Sequence, residues 1–393
     1  MCCHRKSMSM VIVVLISLLC LIWSSWCPAQ EARKTIKVGL LVSLTGTFAN
    51  PGDQIRRGFM LYLNKVGGKL GGLTTEVVTE DEEGTPAVAM TKVRKLVELE
   101  KVHAVAGPLN SSVGMAIRDY IVRNRTPMLH SGTVEAIGDG HYIFRTSFSN
   151  IPDAILQGSI AAKDGYKKAV SICPDFIAGR GAAQWFKVGF ATKGGTIIQE
   201  IFTPLGTMDF GPYLTSISKE ADVGIVFYPG GSDSVRFIKQ YGEYGLKGKL
   251  PLYGYPATVD EEVLPEQGKA AEGFKGASFY FSSINTPENK SFVKDYESKY
   301  GKPPTWFAAS GYIQAQAIDE AAKKIGGKVE DKEAFVKAIK AVRLKTPAGP
   351  FRFDEKNEPV QPRYIIEIRE VEKGRMAPVI IETIPEFLPI VPK

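Results

Sequence analysis

Little in this sequence can form a disulfide or hold a metal. Five cysteines occur in 393 residues, and four of them (Cys2, Cys3, Cys20, Cys27) lie within the first 29. Only Cys173 remains downstream, so the body of the chain has no intrachain disulfide and relies on its packed core. His103, His130 and His141 follow the same stretch, none at the spacing a metal site needs. There is no Ser/His/Asp order and no G-x-S-x-G elbow to suggest nucleophilic catalysis. Long apolar runs are also absent. Met10–Trp23 would rise about 21 Å as a helix, short of the roughly 30 Å bilayer core, and no later stretch is long enough. The net charge of +7 is modest and scattered over single lysines such as Lys65, Lys69 and Lys95. No clustered basic and aromatic patch points to nucleic acid.

What is present begins with an export signal. Arg5 and Lys6 precede the apolar run, and Cys27-Pro28-Ala29 offers a small-residue cleavage site, so residues 1–29 are expected to form a cleaved signal peptide. Its loss lowers the net charge to +5 by removing those two basic residues.

Strands and helices then alternate. Ile36–Val42 is a buried parallel strand by its unbroken apolar character. Ile55, Phe59, Tyr62, Leu63 and Val66 make one buried helical stripe. Gly67–Gly72 is a turn, Leu73–Asp81 a strand, and Thr85-Pro86 starts a helix. Val102–Ala106, Ser112–Arg123 and Thr126–His130 continue as strand, helix and strand. A second series follows: helix near Pro152–Lys163, strand Ala169–Cys173, helix Ala182–Thr192, strands Thr196–Phe202 and Asp222–Phe227, helix Ser232–Tyr244. The remainder reads as a helical stretch, Pro287–Val342, and then FRFD and RYIIEIREV strands. The expected class is α/β, with two Rossmann-like lobes of parallel-type sheet. No linker separates the lobes, which implies several chain crossings.

In such sheets ligands sit beyond the carboxyl ends of strands, where helices begin. Two loops qualify. Gly107-Pro108-Leu109-Asn110-Ser111-Ser112 runs into a helix, and Ser131-Gly132-Thr133 follows the next strand. Free N–H groups and hydroxyls there suit a carboxylate; the alternative is that the hydroxyls are only helix caps. Gly179-Arg180-Gly181 mimics a dinucleotide fingerprint but lacks its third glycine and lies too far from the strand. The acidic run Glu80–Glu83 reads as a solvated turn.

Several segments carry a resemblance: VGLLVSLTGTFANPGDQIRRGFMLYLNKVGG (Val38–Gly68), VHAVAGPLNSS (Val102–Ser112), PMLHSGT (Pro127–Thr133), DFGPYLTSI (Asp209–Ile217), GGSDSVRFIKQYGEYGLKGKL (Gly230–Leu250) and AGPFRFDEKNEP (Ala348–Pro359). In order and spacing they resemble the type I periplasmic binding proteins of ABC transporters, in the leucine/isoleucine/valine-binding branch, whose relatives also take amides, urea or aromatic carboxylates. The resemblance implies two lobes joined by a three-crossover hinge, about 34–148 plus 284–348 and 149–283 plus 349–393. It implies a ligand carboxylate held by Ser111 or Ser112, Ser131, Gly132 and Thr133, with Trp306 against its apolar part. Phe48, Phe176, Tyr228 and Tyr255 complete an aromatic set.

Two departures matter. Ala178 stands where leucine receptors have a tyrosine, and no acid occurs around Tyr253–Ala257 to pair a ligand ammonium. Asp175 is the nearest substitute. A buried ammonium without a counter-charge costs several kcal/mol. The expectation is therefore a periplasmic, non-enzymatic receptor without cofactor or metal. It would capture a small hydrophobic amino acid or related carboxylate and dock on ABC permease subunits in the inner membrane. The alternative is a non-amino ligand (aromatic or aliphatic carboxylate, or amide), serving transport or a sensory system.

Overall fold

The computed structural model describes residues 35–372 and 374–387; the expected signal peptide, 1–29, lies outside the described residues. The first sheet has the order β2-β3-β1-β4-β5-β6. Its strands are β1 (Thr35–Val42), β2 (Lys69–Leu70), β3 (Leu73–Asp81), β4 (Ala104–Ala106), β5 (Met128–His130) and β6 (Ile143–Arg145). All pair in parallel except the β2–β3 hairpin. Parallel strands need helical crossovers, and these are α1 (Ala49–Lys65), α2 (Pro86–Arg94) and α3 (Ser111–Arg123). β1 and β4 are buried nearly throughout because helices cover both faces.

After β6 the chain passes into a second sheet through α4 (Asn150–Lys163). There β7 (Lys168–Pro174), β8 (Thr196–Thr203), β9 (Val223–Val226), β10 (Leu252–Gly254) and β11 (Lys275–Ser278) pair in parallel. Helices α5 (Ile177–Ala191), α6 (Gly211–Thr215), α7 (Gly231–Glu243) and α8 (Leu264–Gln267) connect them. The chain then returns to the first sheet's side. The expected helical stretch divides into α9 (Pro287–Tyr300), α10 (Trp306–Lys324) and α11 (Lys332–Lys340). Thr305 and Asp331 divide it, because their side chains accept the first N–H groups of α10 and α11. A third passage brings β12 (Arg343–Thr346), β13 (Gly349–Phe353), β14 (Pro359–Glu372) and β15 (Arg375–Phe387) to the second sheet as an antiparallel extension.

The return is held by tight packing. α10 is buried along most of its length and crosses α1 with backbones almost touching. A Cβ on Gly58 would lie 1.9 Å from the Ala308 carbonyl oxygen, and one on Gly311 would lie 2.0 Å from that of Ile55. Only glycine at both positions permits this crossing. The third passage is pinned by two buried ion pairs. Arg363 on β14 donates to Asp153 on α4 at 2.7 and 2.9 Å. Arg145 donates to Glu358 at 2.8 and 3.2 Å.

The acidic run Glu80–Glu83, which ends β3 and continues past it, is not the solvated turn its composition suggests. Glu80 pairs with Lys92 and Lys95 at 3.0 and 2.6 Å. Asp81 accepts the Leu44 and Glu83 N–H groups at 2.8 and 2.9 Å. Glu82 is fully buried against the Ser43 hydroxyl, and burial pushes its carboxyl above the usual range. The run anchors the S-L-T-G loop ahead of α1.

Candidate functional site

The carboxyl ends of the two sheets face one narrow cleft, which its own side chains nearly fill, leaving a cavity of about 30 Å³. On the first sheet's side, β4 runs through Leu109 and Asn110 into α3. Asn110 is the helix cap: its Oδ1 accepts the Ser112 N–H at 2.9 Å, and its Nδ2 donates to the Gly84 carbonyl at 3.0 Å. Ser111 Oγ accepts the Thr133 N–H at 3.3 Å, which leaves the serine proton free to donate. Thr133 Oγ1 makes no hydrogen bond among the described residues. Ser111, Asn110 and Thr133 all line the cleft. Uncharged donors therefore gather beside the positive end of α3.

A buried cation shapes the loop that presents Thr133. Arg145 is fully buried and donates to the carbonyls of Gly132 and Val134 as well as to Glu358. A Cβ on Gly132 would come within 2.8 Å of Ile137 Cδ1, so a side chain there would push the loop outward. Behind the loop, His130 is buried with neither ring nitrogen partnered. Burial, and then the charge of Arg145, hold its pKa well below the usual histidine range, so the ring is neutral.

The opposite wall is apolar. Phe176, Ala178, Phe227 and Pro229 come from the ends of β7 and β9 and the start of α5. Phe148, Trp306 and Phe307 close the inner end, and Phe48 closes the rim. Rings meet across the opening, with Phe48 and Phe176 centroids 6.4 Å apart and Phe176 and Phe227 6.2 Å apart. Further in, Trp306 lies 5.3 Å from Phe148 and 3.8 Å from Phe307. No Asp, Glu, Lys, Arg or His lines the cleft among the described residues. Asp175 is turned away in a two-pronged pair with Arg180, at 2.5 and 2.9 Å.

Of the residues singled out in the sequence, Phe48, Ser111, Thr133, Phe176, Ala178 and Trp306 are brought together here. Five others are not among the lining residues. Ser112 spends its N–H on the Asn110 cap. Ser131 is fully buried, bonded to Ser310 at 2.8 Å and Gln314 at 3.0 Å, and ties the first sheet to α10. Gly132 contributes its carbonyl to Arg145. Tyr228 packs between Phe210 and Phe237 and bonds Thr203 at 3.0 Å, in the core beneath α7. Tyr255 stands one layer back, its ring against Phe148 and Phe227 and its hydroxyl donating to the Asn150 carbonyl at 2.9 Å. Leu109, Asn110, Phe148, Phe227, Pro229 and Phe307 were not anticipated. Strand alternation could have chosen Phe227 over Tyr228, since neighbouring side chains on an extended chain face opposite ways.

A larger hollow of about 270 Å³ lies around Tyr166, Tyr253 and Phe274, at the amino ends of β10 and β11. Among its lining residues there is no helix N-terminus of the kind that α3 brings to the carboxyl-end cleft. Gly179, in the fingerprint-like segment, serves packing: a Cβ would lie 2.0 Å from the Pro174 carbonyl oxygen.

A family model described as periplasmic binding protein matches residues 35–375. The chain belongs to the periplasmic binding protein family. It is 28% identical over 347 residues to Leu/Ile/Val-binding protein homolog 6 of Brucella melitensis, covering 86% of this chain and 89% of that one. Among solved structures it is similar to an ABC transporter substrate-binding protein from Sphaerobacter thermophilus, with a TM-score of 0.85 and 34% identity over 91% of this chain and 99% of the other. It is also similar to a solute-binding protein of an ABC transporter from Rhodopseudomonas palustris BisB5, solved with 3,4-dihydroxybenzoic acid. There the TM-score is 0.86 and the identity 31%, over 91% and 99% of the two chains. The two-lobe α/β architecture, with sheets joined by three passages, is that of this family's type I fold. The two solved relatives are substrate-binding or solute-binding proteins of ABC transporters.

Proposed function

We propose that this periplasmic binding protein is the extracytoplasmic receptor of an ABC importer and captures an aromatic carboxylate that lacks an α-amino group. One observation carries the reading: six aromatic rings line a cleft in which the only polar partners are uncharged. A carboxylate would accept from Ser111 Oγ and Thr133 Oγ1, beside the positive N-terminal end of α3. An ammonium would meet no counter-charge there, at a cost of several kcal/mol. The dihydroxybenzoate bound by the R. palustris relative is a ligand of the proposed kind.

Micromolar capture needs about 8 kcal/mol. Burying one ring contributes roughly 1.5–3 kcal/mol, and two or three charge-assisted hydrogen bonds contribute about 1.5–3 kcal/mol each, before association costs. No catalytic group is called for. A ligand touching both walls favours the closed arrangement of the lobes, taken as 34–148 plus 284–348 against 149–283 plus 349–393. Export would follow cleavage of residues 1–29, and the closed receptor would dock on permease subunits in the inner membrane. Calorimetry with benzoate, 4-hydroxybenzoate, isocaproate and leucine tests the ligand class. Binding of an aromatic acid with leucine inert supports it; preference for leucine overturns it.

A further inference from the structure

Among the rings lining the cleft, Trp306 alone carries a hydrogen-bond donor, and the protein leaves that donor unused. Its Nε1–H is buried and meets no acceptor among the described residues. The residue is only 5% exposed, so bulk water does not satisfy it. Its ring neighbours, Phe307 at 3.8 Å, Phe148 at 5.3 Å and Phe279 at 6.0 Å, have no lone pairs to offer. Buried indole N–H groups normally find a partner, and one that does not forfeits the bond it made to water in the unfolded chain. Phenylalanine at this position would fill nearly the same space without that loss. The carboxylate end, for its part, is already supplied with donors by Ser111 and Thr133, beside the start of α3.

We propose that Trp306 Nε1–H donates to an oxygen substituent on the ligand's ring, so that the receptor selects hydroxylated aromatic acids over unsubstituted ones. This deepens the aromatic-carboxylate reading and rests on it. The test compares benzoate with 4-hydroxybenzoate, each titrated into the wild-type protein and Trp306→Phe by calorimetry. In parallel, indole N–H signals of the ¹⁵N-labelled protein are followed, and the signal missing from the variant identifies Trp306. The expected result is about a tenfold preference of the wild type for 4-hydroxybenzoate, lost in the variant. The Trp306 indole proton should also move further downfield in the 4-hydroxybenzoate complex than in the benzoate complex.

Equal wild-type affinity for the two probes overturns the inference, and this arm stands even where the variant does not fold. A preference that persists in Trp306→Phe also overturns it. So does an equal loss for both probes, which would assign the N–H to the carboxylate. Binding of leucine with neither aromatic probe bound defeats the underlying reading together with this one.

Discussion

The two walls of the cleft solve different problems. The wall from the first sheet is polar and held from behind: Arg145 fixes two loop carbonyls, Asn110 caps α3, and Ser131 is bonded into α10. The wall from the second sheet is a set of rings that touch one another and make no hydrogen bond to the cleft. A hydrogen-bonding wall needs fixed directions, because donors misplaced by a fraction of an ångström lose most of their value. An apolar wall needs area and fit, which many side chains can supply. On the proposed reading, headgroup recognition and ligand identity are separable: the polar wall would read an acid group, and the rings would decide which acid.

That contrast can be broken from behind. Arg145→Met removes a buried cation from three carbonyl and carboxylate partners and leaves Glu358 unpaired, which should cost about 3–5 kcal/mol of stability in chemical denaturation. A variant as stable as the wild type would deny Arg145 its place beneath the Thr133 loop. The apolar wall is broken by Phe176→Ala. It should weaken aromatic acids by roughly 1.5–3 kcal/mol and short aliphatic acids much less. Equal losses for both ligand types, read by calorimetry, would erase the proposed division of labour. Thr133→Ala sharpens the comparison, because it should weaken every carboxylate to a similar extent and at least tenfold. Unchanged affinity would remove Thr133 from the site.

A further effect is one of pH. Asp260, near the apolar wall, is buried, and burial followed by repulsion from Glu262 and Glu261 pushes its carboxyl up to about 8. The folded protein then holds that proton where the unfolded chain, near 3.8, has released it. Its contribution to stability is complete below about pH 4 and declines as the pH rises through about 8. Asp260→Asn should flatten this decline, and denaturation midpoints at pH 5 and pH 8 that keep the wild-type difference would contradict the assignment.

How much of this was legible beforehand depended on range. β1, α1, β3 and the loops after β4 and β5 are written in short apolar periods and turn residues, and they appear where the sequence implied. β10 has only three residues, Leu252–Gly254, too few to show any period. The Asn110 cap was hidden by two serines beside it, which are equally good cap residues by type. Arg145 could not have been singled out, because its acidic partner lies 213 residues away and a lone arginine in a strand carries no local mark of burial. The rings were found as a class but not one by one. Phe227 lines the cleft while its neighbour Tyr228 packs in the core, because adjacent side chains on an extended chain face opposite ways.

Latching groups outside the cleft add a further point of contact between the sheets' sides. Gln54 on α1 donates to Glu262, which also pairs with Lys302 at 3.0 Å, and Thr305 donates back to Gln54.

Cys173 lies at zero exposure inside β7, and burial pushes its thiol far above the range in which it would react. It is the only cysteine among the described residues. Maleimide dyes should therefore pass it by, and in a protein expressed without residues 1–29 and their four cysteines, a cysteine engineered near Phe48 would be the one reactive handle. A dye attached there would sense the neighbouring rim, so that protein would serve as an optical reporter of the proposed ligand without replacement of Cys173.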